Sequence, residues 1–165
     1  MNLVIRFLIW CARWAPPRVI EGRNGESAYL TRYFIFRRSP LTEGMDRHAL
    51  KVPRWGLYLH CFHRGDVDGA CHDHPWDWAI SFVLKNGYSE ERRVGDKVIR
   101  RDIRPYRFNF LRGDTFHRVD LVRGEAWTLF LVGPIVKSWG FWDRDTGIVT
   151  PWRVFLGCES EEENY

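Results

Sequence analysis

Residues 72–78 read His-Asp-His-Pro-Trp-Asp-Trp, and residues 112–117 read Arg-Gly-Asp-Thr-Phe-His. The first stretch has two histidines, His72 and His74, separated by one residue. On a β-strand this spacing places both imidazoles on one face, about 7 Å apart along the backbone and within reach of a shared ion. His117 follows the turn of the second stretch. We therefore predict that hairpins bring His117 to the first pair, so that three imidazoles bind one divalent metal.

Short strands separated by turns are predicted on both sides of these motifs. Turn signals such as Asn86-Gly87 and Gly95-Asp96 separate apolar or alternating segments. The predicted strands cover residues 28–37, 56–63, 79–84, 88–93, 97–103, 107–111, 116–122, 126–132 and 148–155. Many short strands at a regular spacing favour an all-β sandwich or barrel. Because no repeat or flexible linker interrupts the 165 residues, we expect a single domain over 1–165, with the barrel at about 28–156.

The two ends of the chain differ from this middle part. Residues 1–17 carry apolar side chains at helical spacing and finish at Pro16-Pro17, which predicts a short N-terminal helix. That helix packs on the barrel or contacts a membrane surface or a partner chain, and the sequence leaves these alternatives open. The apolar run is too short to be a transmembrane segment and lacks the pattern of a signal peptide. Residues 157–165 form an acidic tail.

Composition and charge narrow the class of protein. Apolar residues make up 45% of the chain, which excludes a disordered protein. The net charge is +4, and this excess could attract nucleic acid, phosphates or carboxylates, but the arginines occur in pairs rather than in long basic runs, so nucleic acid is not strongly indicated as a partner. The four cysteines are widely spaced and form no C-x-x-C motif, which is typical of neither a disulfide framework nor a zinc knuckle. We therefore expect a reducing, cytoplasmic location.

The order of these motifs resembles the cupin superfamily. Its first motif has two histidines one residue apart, then glutamate and glycine, and its second motif has glycine shortly before a third histidine. His72, His74 and Gly87 match the first motif, and Gly113 and His117 match the second. The resemblance covers roughly residues 55–132. It implies the cupin double-stranded β-helix, a jelly-roll barrel, with the three histidines as metal ligands, and the short N-terminal helix predicted above would precede this barrel.

Three further stretches carry a narrower resemblance. The residues at 72–76, 127–130 and 139–141 look like those of a set of small bacterial and phage cupin proteins. No activity is implied by that set. The resemblance as a whole therefore indicates fold and metal binding more than reaction.

Two departures from the cupin pattern shape the expected site. The usual glutamate would fall within residues 78–80, where no side chain can ligate, and one extra residue separates Gly113 from His117. Asp77 is the nearest carboxylate after the histidine pair, but on a regular strand its side chain would point to the face opposite to that of His72 and His74. Because Pro75 could interrupt the regular alternation, Asp77 stays a candidate fourth ligand. Without it the site resembles the three-histidine iron centres of thiol dioxygenases and some ring-cleaving dioxygenases among the cupins.

The expected metal is iron(II), with zinc or nickel as alternatives, since imidazole suits all three. His60, Tyr58 and Arg107 are candidates to line the cavity and bind substrate, although a structural role for His60 is equally open. The carboxylates near the ligands in sequence could orient the imidazoles through their second nitrogens. These are Asp73, Asp114 and Asp120. We interpret His63 and Asp66 as loop and turn residues, and His48 as solvent-exposed.

Three functions remain open from the sequence. The first is an Fe(II)-dependent oxygenase acting on a small anionic or aromatic molecule. The second is a non-redox, metal-dependent isomerase or epimerase of a sugar-type substrate, and the third is a binding module without catalysis. A homodimer is expected from the resemblance alone. Fold analogy does not choose among these functions, because one fold hosts many activities.

Overall fold

A computed structural model describes residues 2–21, 28–36, 55–66, 69–120 and 124–157. His48, interpreted above as solvent-exposed, and the acidic tail beyond Gly157 lie outside these residues. The elements run in the order α1 (Leu3–Cys11), β1 (Arg18–Glu21), β2 (Ala28–Phe36), β3 (Gly56–Phe62), β4 (Cys71–His72), β5 (Trp78–Lys85), β6 (Tyr88–Val94), β7 (Lys97–Ile103), β8 (Phe108–Arg112), β9 (His117–Asp120), β10 (Ala126–Val132), β11 (Gly140–Trp142), β12 (Val149–Pro151) and α2 (Trp152–Phe155).

The described strands form two six-stranded sheets with antiparallel pairing. The first sheet has the order β1-β2-β3-β10-β5-β8, and the second has the order β12-β11-β4-β9-β6-β7. Strands distant in sequence are neighbours in both sheets, as β3 and β10 are in the first and β4 and β9 in the second. The predicted all-β jelly roll is confirmed, and its two inner faces enclose the candidate site.

Alternation along β3 separates the inside of the molecule from its outer face. Tyr58 and His60 point inward, and His60 stacks on Phe130 of β10 with ring centroids 4.8 Å apart. Leu59 and Cys61 point outward and pack beneath helix α1 in one apolar cluster. One strand therefore contributes to two different environments, as its period of two dictates.

Helix α1 lies on the outer face of the first sheet. Its N-terminus is capped by Asn2, whose Oδ1 accepts a hydrogen bond from the Val4 N–H at 2.9 Å. Ile5 is fully buried in the cluster with Leu59 and Cys61. The sequence leaves three contacts open for this helix. The structure shows one of them, packing on the barrel. Within the described residues, no helix has the length and apolar character that a membrane span requires.

Two parts of the predicted secondary structure are wrong. The strand expected at 148–155 is a short strand, β12, followed by a helical turn, α2. Pro151 ends the strand because it has no N–H to donate to a ladder, and it serves as the residue before the first turn of α2. The N-terminal helix expected over 1–17 ends at Cys11, and an extended segment then leads into β1, which the sequence did not predict.

The turn before His117 is held close to the first histidine motif. The Gly113 N–H donates to the carbonyl of Asp77 at 2.9 Å, across the pairing of β5 with β8. A side chain at position 113 would collide with the Trp76 carbonyl, so glycine is required by this close approach. The two cupin-like motifs therefore meet through backbone contacts as well as through their histidines.

Candidate metal centre

The structure brings His72, His74 and His117 together between the sheets. His72 in β4 pairs directly with His117 in β9, and His74 follows β4 in the connection to β5. One nitrogen from each ring lies within 4.8 Å of the others. His74 Nε2 and His117 Nε2 are only 2.8 Å apart. We call these three residues the inner cluster.

Burial keeps two of these imidazoles neutral. Burial lowers the pKa of His72 to about 4, against the opposing effect of the Asp66 charge. It also holds the pKa of His74 well below its usual range, and the neighbouring His117 and His72 act in the same direction. A neutral imidazole offers a lone pair, which is what a metal ligand needs at neutral pH.

Glu90 stands behind His117. The Glu90 side chain is fully buried, and its Oε1 lies 2.8 Å from His117 Nδ1. Arg92 Nη2 and Asn109 Nδ2 donate to the same carboxylate at 2.9 and 3.1 Å. Burial alone would raise the pKa of Glu90, but contact with His117, the charge of Arg92 and the bond from Asn109 lower it to about 2. The ionised carboxylate engages Nδ1 of His117 and leaves Nε2 facing the other histidines.

Sequence reasoning missed Glu90. It lies in the stretch Glu90-Glu91-Arg92-Arg93, which resembles the charged face of an exposed strand. Only the pairing of β6 with β9, in which Arg92 lies opposite His117, shows that Glu90 and Arg92 point inward. No local signal in the sequence could have identified it.

Asp66 is the carboxylate nearest to His72. Its Oδ2 lies 4.0 Å from His72 Nδ1 and also accepts the Val119 N–H at 2.8 Å. The sequence predicts only a turn residue at this position, but the structure places its carboxylate beside His72.

The three carboxylates proposed to orient the imidazoles make other contacts. Asp73 Oδ1 accepts the Gly140 N–H at 2.8 Å, and its other oxygen pairs with Lys137. Asp120 pairs with Arg100 at 3.2 Å, and Asp114 pairs with Arg112 at 3.4 Å. Asp120 lies on the face of β9 opposite to that of His117, and Asp73 and Asp114 lie outside the strands, so proximity in sequence did not identify the carboxylate that contacts an imidazole.

Aromatic rings surround the inner cluster. Trp76 stacks on His74 with centroids 5.0 Å apart, and Trp139 and Phe141 lie 6.0 and 5.7 Å from the ring of His72. Trp76 also contacts Phe130 of the first sheet edge-on at 5.6 Å. These rings form a largely apolar wall that lowers the local dielectric around the three imidazoles.

His60 and Tyr58, on the first sheet, both contact Arg32. Arg32 Nε donates to His60 Nε2 at 3.0 Å, and the guanidinium lies 5.1 Å from the centroid of the Tyr58 ring. Burial, and then the charge of Arg32, hold the pKa of His60 well below its usual range. Since Nε2 accepts this bond, the neutral ring carries its proton on Nδ1. Sequence reasoning singled out His60 and Tyr58 but missed Arg32, which lies opposite His60 in the register of β2 and β3.

The remaining two candidates are not brought to the inner cluster. Asp77 is exposed, and its backbone N–H donates to the Pro134 carbonyl at 2.9 Å. Arg107 is exposed immediately before β8, and its carbonyl accepts the Val83 N–H at 3.1 Å. The fourth ligand considered from the sequence therefore lies outside the group of facing nitrogen atoms.

Comparison with known proteins identifies the architecture. No family model and no curated protein sequence matches this chain. Among solved structures, KdgF from Halomonas sp. matches at 16% identity over 74% of this chain and 90% of its own, with a TM-score of 0.51. HutD from Pseudomonas fluorescens SBW25 matches at 15% identity over 72% of this chain and 56% of its own, with a TM-score of 0.50. Both are cupin-family proteins, and the likeness shows that this chain has the cupin fold.

Proposed function

We propose that the inner cluster binds one divalent metal ion, iron(II) ahead of zinc or nickel, in an oxygenase that acts on a small anionic or aromatic substrate. One observation carries the metal proposal. His74 Nε2 and His117 Nε2 face each other at 2.8 Å beside His72, while Glu90 engages the far nitrogen of His117. Two lone pairs at that distance repel unless a proton or a cation lies between them. When bound, iron(II) would supply open positions for substrate and oxygen.

The donor set favours three imidazoles without a carboxylate. Glu90, the carboxylate closest to His117, is engaged by Arg92 and Asn109 and faces Nδ1, so it orients the ring instead of ligating. Asp66 is likewise held by the Val119 N–H. The three neutral rings would leave the full positive charge of the ion to attract an anion.

Arg32 and His60 support an anionic substrate. The charge of Arg32 is felt at His74, where it helps to lower the pKa after the larger effects of burial, His117 and His72. A carboxylate or phosphonate lying between Arg32 and the inner cluster would interact with the Arg32 guanidinium, which His60 Nε2 holds in place at 3.0 Å. The rings of Trp76 and Phe130 would exclude water from the same space.

The non-redox isomerase is the second candidate. Such a reaction needs a group that takes a proton from carbon and returns it. Three acceptors near the inner cluster are already engaged, since Glu90, Asp66 and His60 Nε2 each accept a hydrogen bond. The oxygenase needs no such base from the chain, and this observation supports the oxygenase over the isomerase.

Location and assembly follow as smaller proposals. Cys11, Cys61 and Cys71 are free thiols, which suits a reducing cytoplasm. A homodimer, expected from the cupin resemblance, is tested by light scattering on the purified chain.

The metal proposal is tested by measuring metal content. The full-length protein and the variants His74→Ala and His117→Ala are prepared in iron-supplemented medium and analysed by mass spectrometry. The wild type should hold about one iron per chain, and both variants should lose it, while His63→Ala outside the cluster should keep it. Stoichiometric iron in both variants would show that the inner cluster is not the site.

The reaction class is tested on the loaded protein. Iron-loaded wild type is mixed with a panel of small carboxylates, phosphonates and aromatic acids, and oxygen uptake is recorded. In a second assay, sugars and sugar phosphates are added to the panel, and their conversion is followed by NMR without oxygen. Oxygen uptake that disappears in His117→Ala supports the oxygenase, whereas turnover without oxygen supports the isomerase and rejects the oxygenase.

A further inference from the structure

A second group of ligand-type side chains lies on the outer face of the first sheet. Cys61 and His63 are two residues apart at the end of β3, and Glu125 immediately precedes β10. Because Ala126 pairs with Phe62, the register places Glu125 beside His63. The three donor atoms lie within 4.8 Å of one another. We call these residues the outer cluster.

We propose that the outer cluster binds a zinc ion through Cys61 Sγ, His63 Nδ1 and Glu125 Oε1. Thiolate, imidazole and carboxylate are the three ligand types that zinc accepts. The His63 Nδ1–Glu125 Oε1 distance is 3.0 Å, and the Cys61 Sγ–His63 Nδ1 distance is 3.8 Å. Ligand atoms around a tetrahedral zinc lie about 3.3–3.6 Å apart, as its bond lengths require. The metal-free distances bracket that range, so small side-chain shifts suffice.

The other nitrogen of His63 is also engaged. His63 Nε2 lies 2.8 Å from Thr31 Oγ1, on the neighbouring strand β2. A metal-bound histidine usually has its second nitrogen hydrogen-bonded in this way, which fixes the ring's orientation. Thr31 and Cys61 are paired residues of β2 and β3, so the support is part of the sheet.

Exposure of the ligands leaves a coordination position open. The Cys61 residue is 1% exposed, whereas the side chains of His63 and Glu125 are 31% and 51% exposed. Zinc would therefore have its thiolate in the apolar cluster beneath α1 and its fourth position toward water. Three protein ligands with one open position are typical of zinc sites that bind a water or a small anion.

Binding couples to one proton. Burial, and then the charge of Glu125, raise the pKa of the Cys61 thiol to about 12, so the metal-free side chain is a protonated thiol. Zinc displaces this proton to solvent as the Zn–S bond forms, and no other bond changes. Zinc affinity therefore rises with pH.

The test uses cobalt(II) as a probe, because a thiolate ligand gives it a charge-transfer band in the near ultraviolet and imidazoles do not. Cobalt(II) is titrated to two equivalents into the metal-free full-length protein. The band should appear in wild type and also in His117→Ala, in which the inner cluster is broken. It should be absent from Cys61→Ser and present in the matched control Cys71→Ser, whose thiol lies at the Glu91 carbonyl.

Two further measurements keep the outcome decisive. Glu125→Gln, at an exposed side chain, should weaken cobalt binding by more than about 100-fold without unfolding the protein, since losing even a supporting partner costs 10–100-fold. In His117→Ala, where the inner cluster is broken, one equivalent of zinc should bleach the band. A wild-type protein that shows no band, or a band that survives in Cys61→Ser, would overturn the outer site. Neither result bears on iron in the inner cluster, which contains no sulfur ligand.

Discussion

The inner and outer clusters begin from the same spacing and end as different sites. His72 and His74 are two residues apart at β4, and Cys61 and His63 are two residues apart at β3. In each case a residue distant in sequence is the third member of the cluster: His117 in the inner cluster and Glu125 in the outer cluster. Spacing therefore places two ligands on one face, but pairing with another strand decides which third group meets them.

The surroundings separate the two clusters further. A fully buried carboxylate, Glu90, stands behind the inner histidines, and aromatic rings cover them. In the outer cluster the carboxylate is half-exposed and faces the imidazole directly. Burial strengthens every electrostatic contact inside and makes each one costly to break, whereas solvent screens the contacts outside. The contacts of the inner cluster are therefore the stronger ones, and those of the outer cluster are the more easily broken.

The largest expected difference concerns the two carboxylates. Glu90→Ala should lower the free energy of unfolding by about 3–5 kcal/mol, because it removes the fully buried carboxylate that contacts both Arg92 and the buried His117. Glu125→Ala should lower it by about 1 kcal/mol or less, as expected for an exposed pair. Urea unfolding followed by circular dichroism measures both. Similar losses in the two variants would remove the distinction between a buried and a screened cluster, and Glu90→Gln, which keeps acceptor and donor atoms, should lie between them.

The next effect is pH dependence, which comes from the inner cluster. The pKa of His72 is about 4 in the folded protein, against about 6.5 in an unfolded chain. Between these two pH values His72 is protonated in the unfolded chain and neutral in the folded protein. The free energy of unfolding is therefore highest above pH 6.5 and falls as the pH drops toward 4. His72 alone accounts for about 3 kcal/mol. Unfolding measured at several pH values with a chelator present should show this fall, and His72→Asn should make the fall shallower without abolishing it, because burial also lowers the pKa values of His74 and His60. An equally steep profile in that variant would contradict the cause assigned.

The smallest effect concerns support of the outer imidazole. Thr31→Val keeps the shape of the side chain but removes the hydroxyl that meets His63 Nε2. We expect zinc affinity at the outer cluster to fall about 10-fold, the lower end of the cost of losing a supporting partner. Competition with a chromophoric chelator measures this, with the iron content of the inner cluster as the control. Unchanged zinc affinity would mean that Thr31 does not hold the ring.

Much of the fold could be predicted because its signals are local. The strands predicted at 97–103 and 126–132 have those bounds in the structure, and Asn86-Gly87 forms the expected turn with positive φ at both residues. Alternation and turn chemistry act between near neighbours in the chain. The errors lie where a local signal is weak or mixed, as at 148–155, where apolar residues on both sides of Pro151 suit a strand or a helical turn.

The site also has features with a local signal in the sequence and features without one. The two-residue spacing of His72 and His74, and the glycine turn before His117, are properties of the sequence, and they sufficed to predict which rings meet. Glu90, Arg32 and Asp66 were decided only by the tertiary structure, as was the meeting of His63 with Glu125. Each of these residues has its position because of strand register. Register depends on how the strands pair and pack across the whole sheet, and the adjacent residues in the sequence do not determine it. Charged side chains give no local sign that pairing will bury them, and so the chemistry around the histidines emerges only from the folded chain.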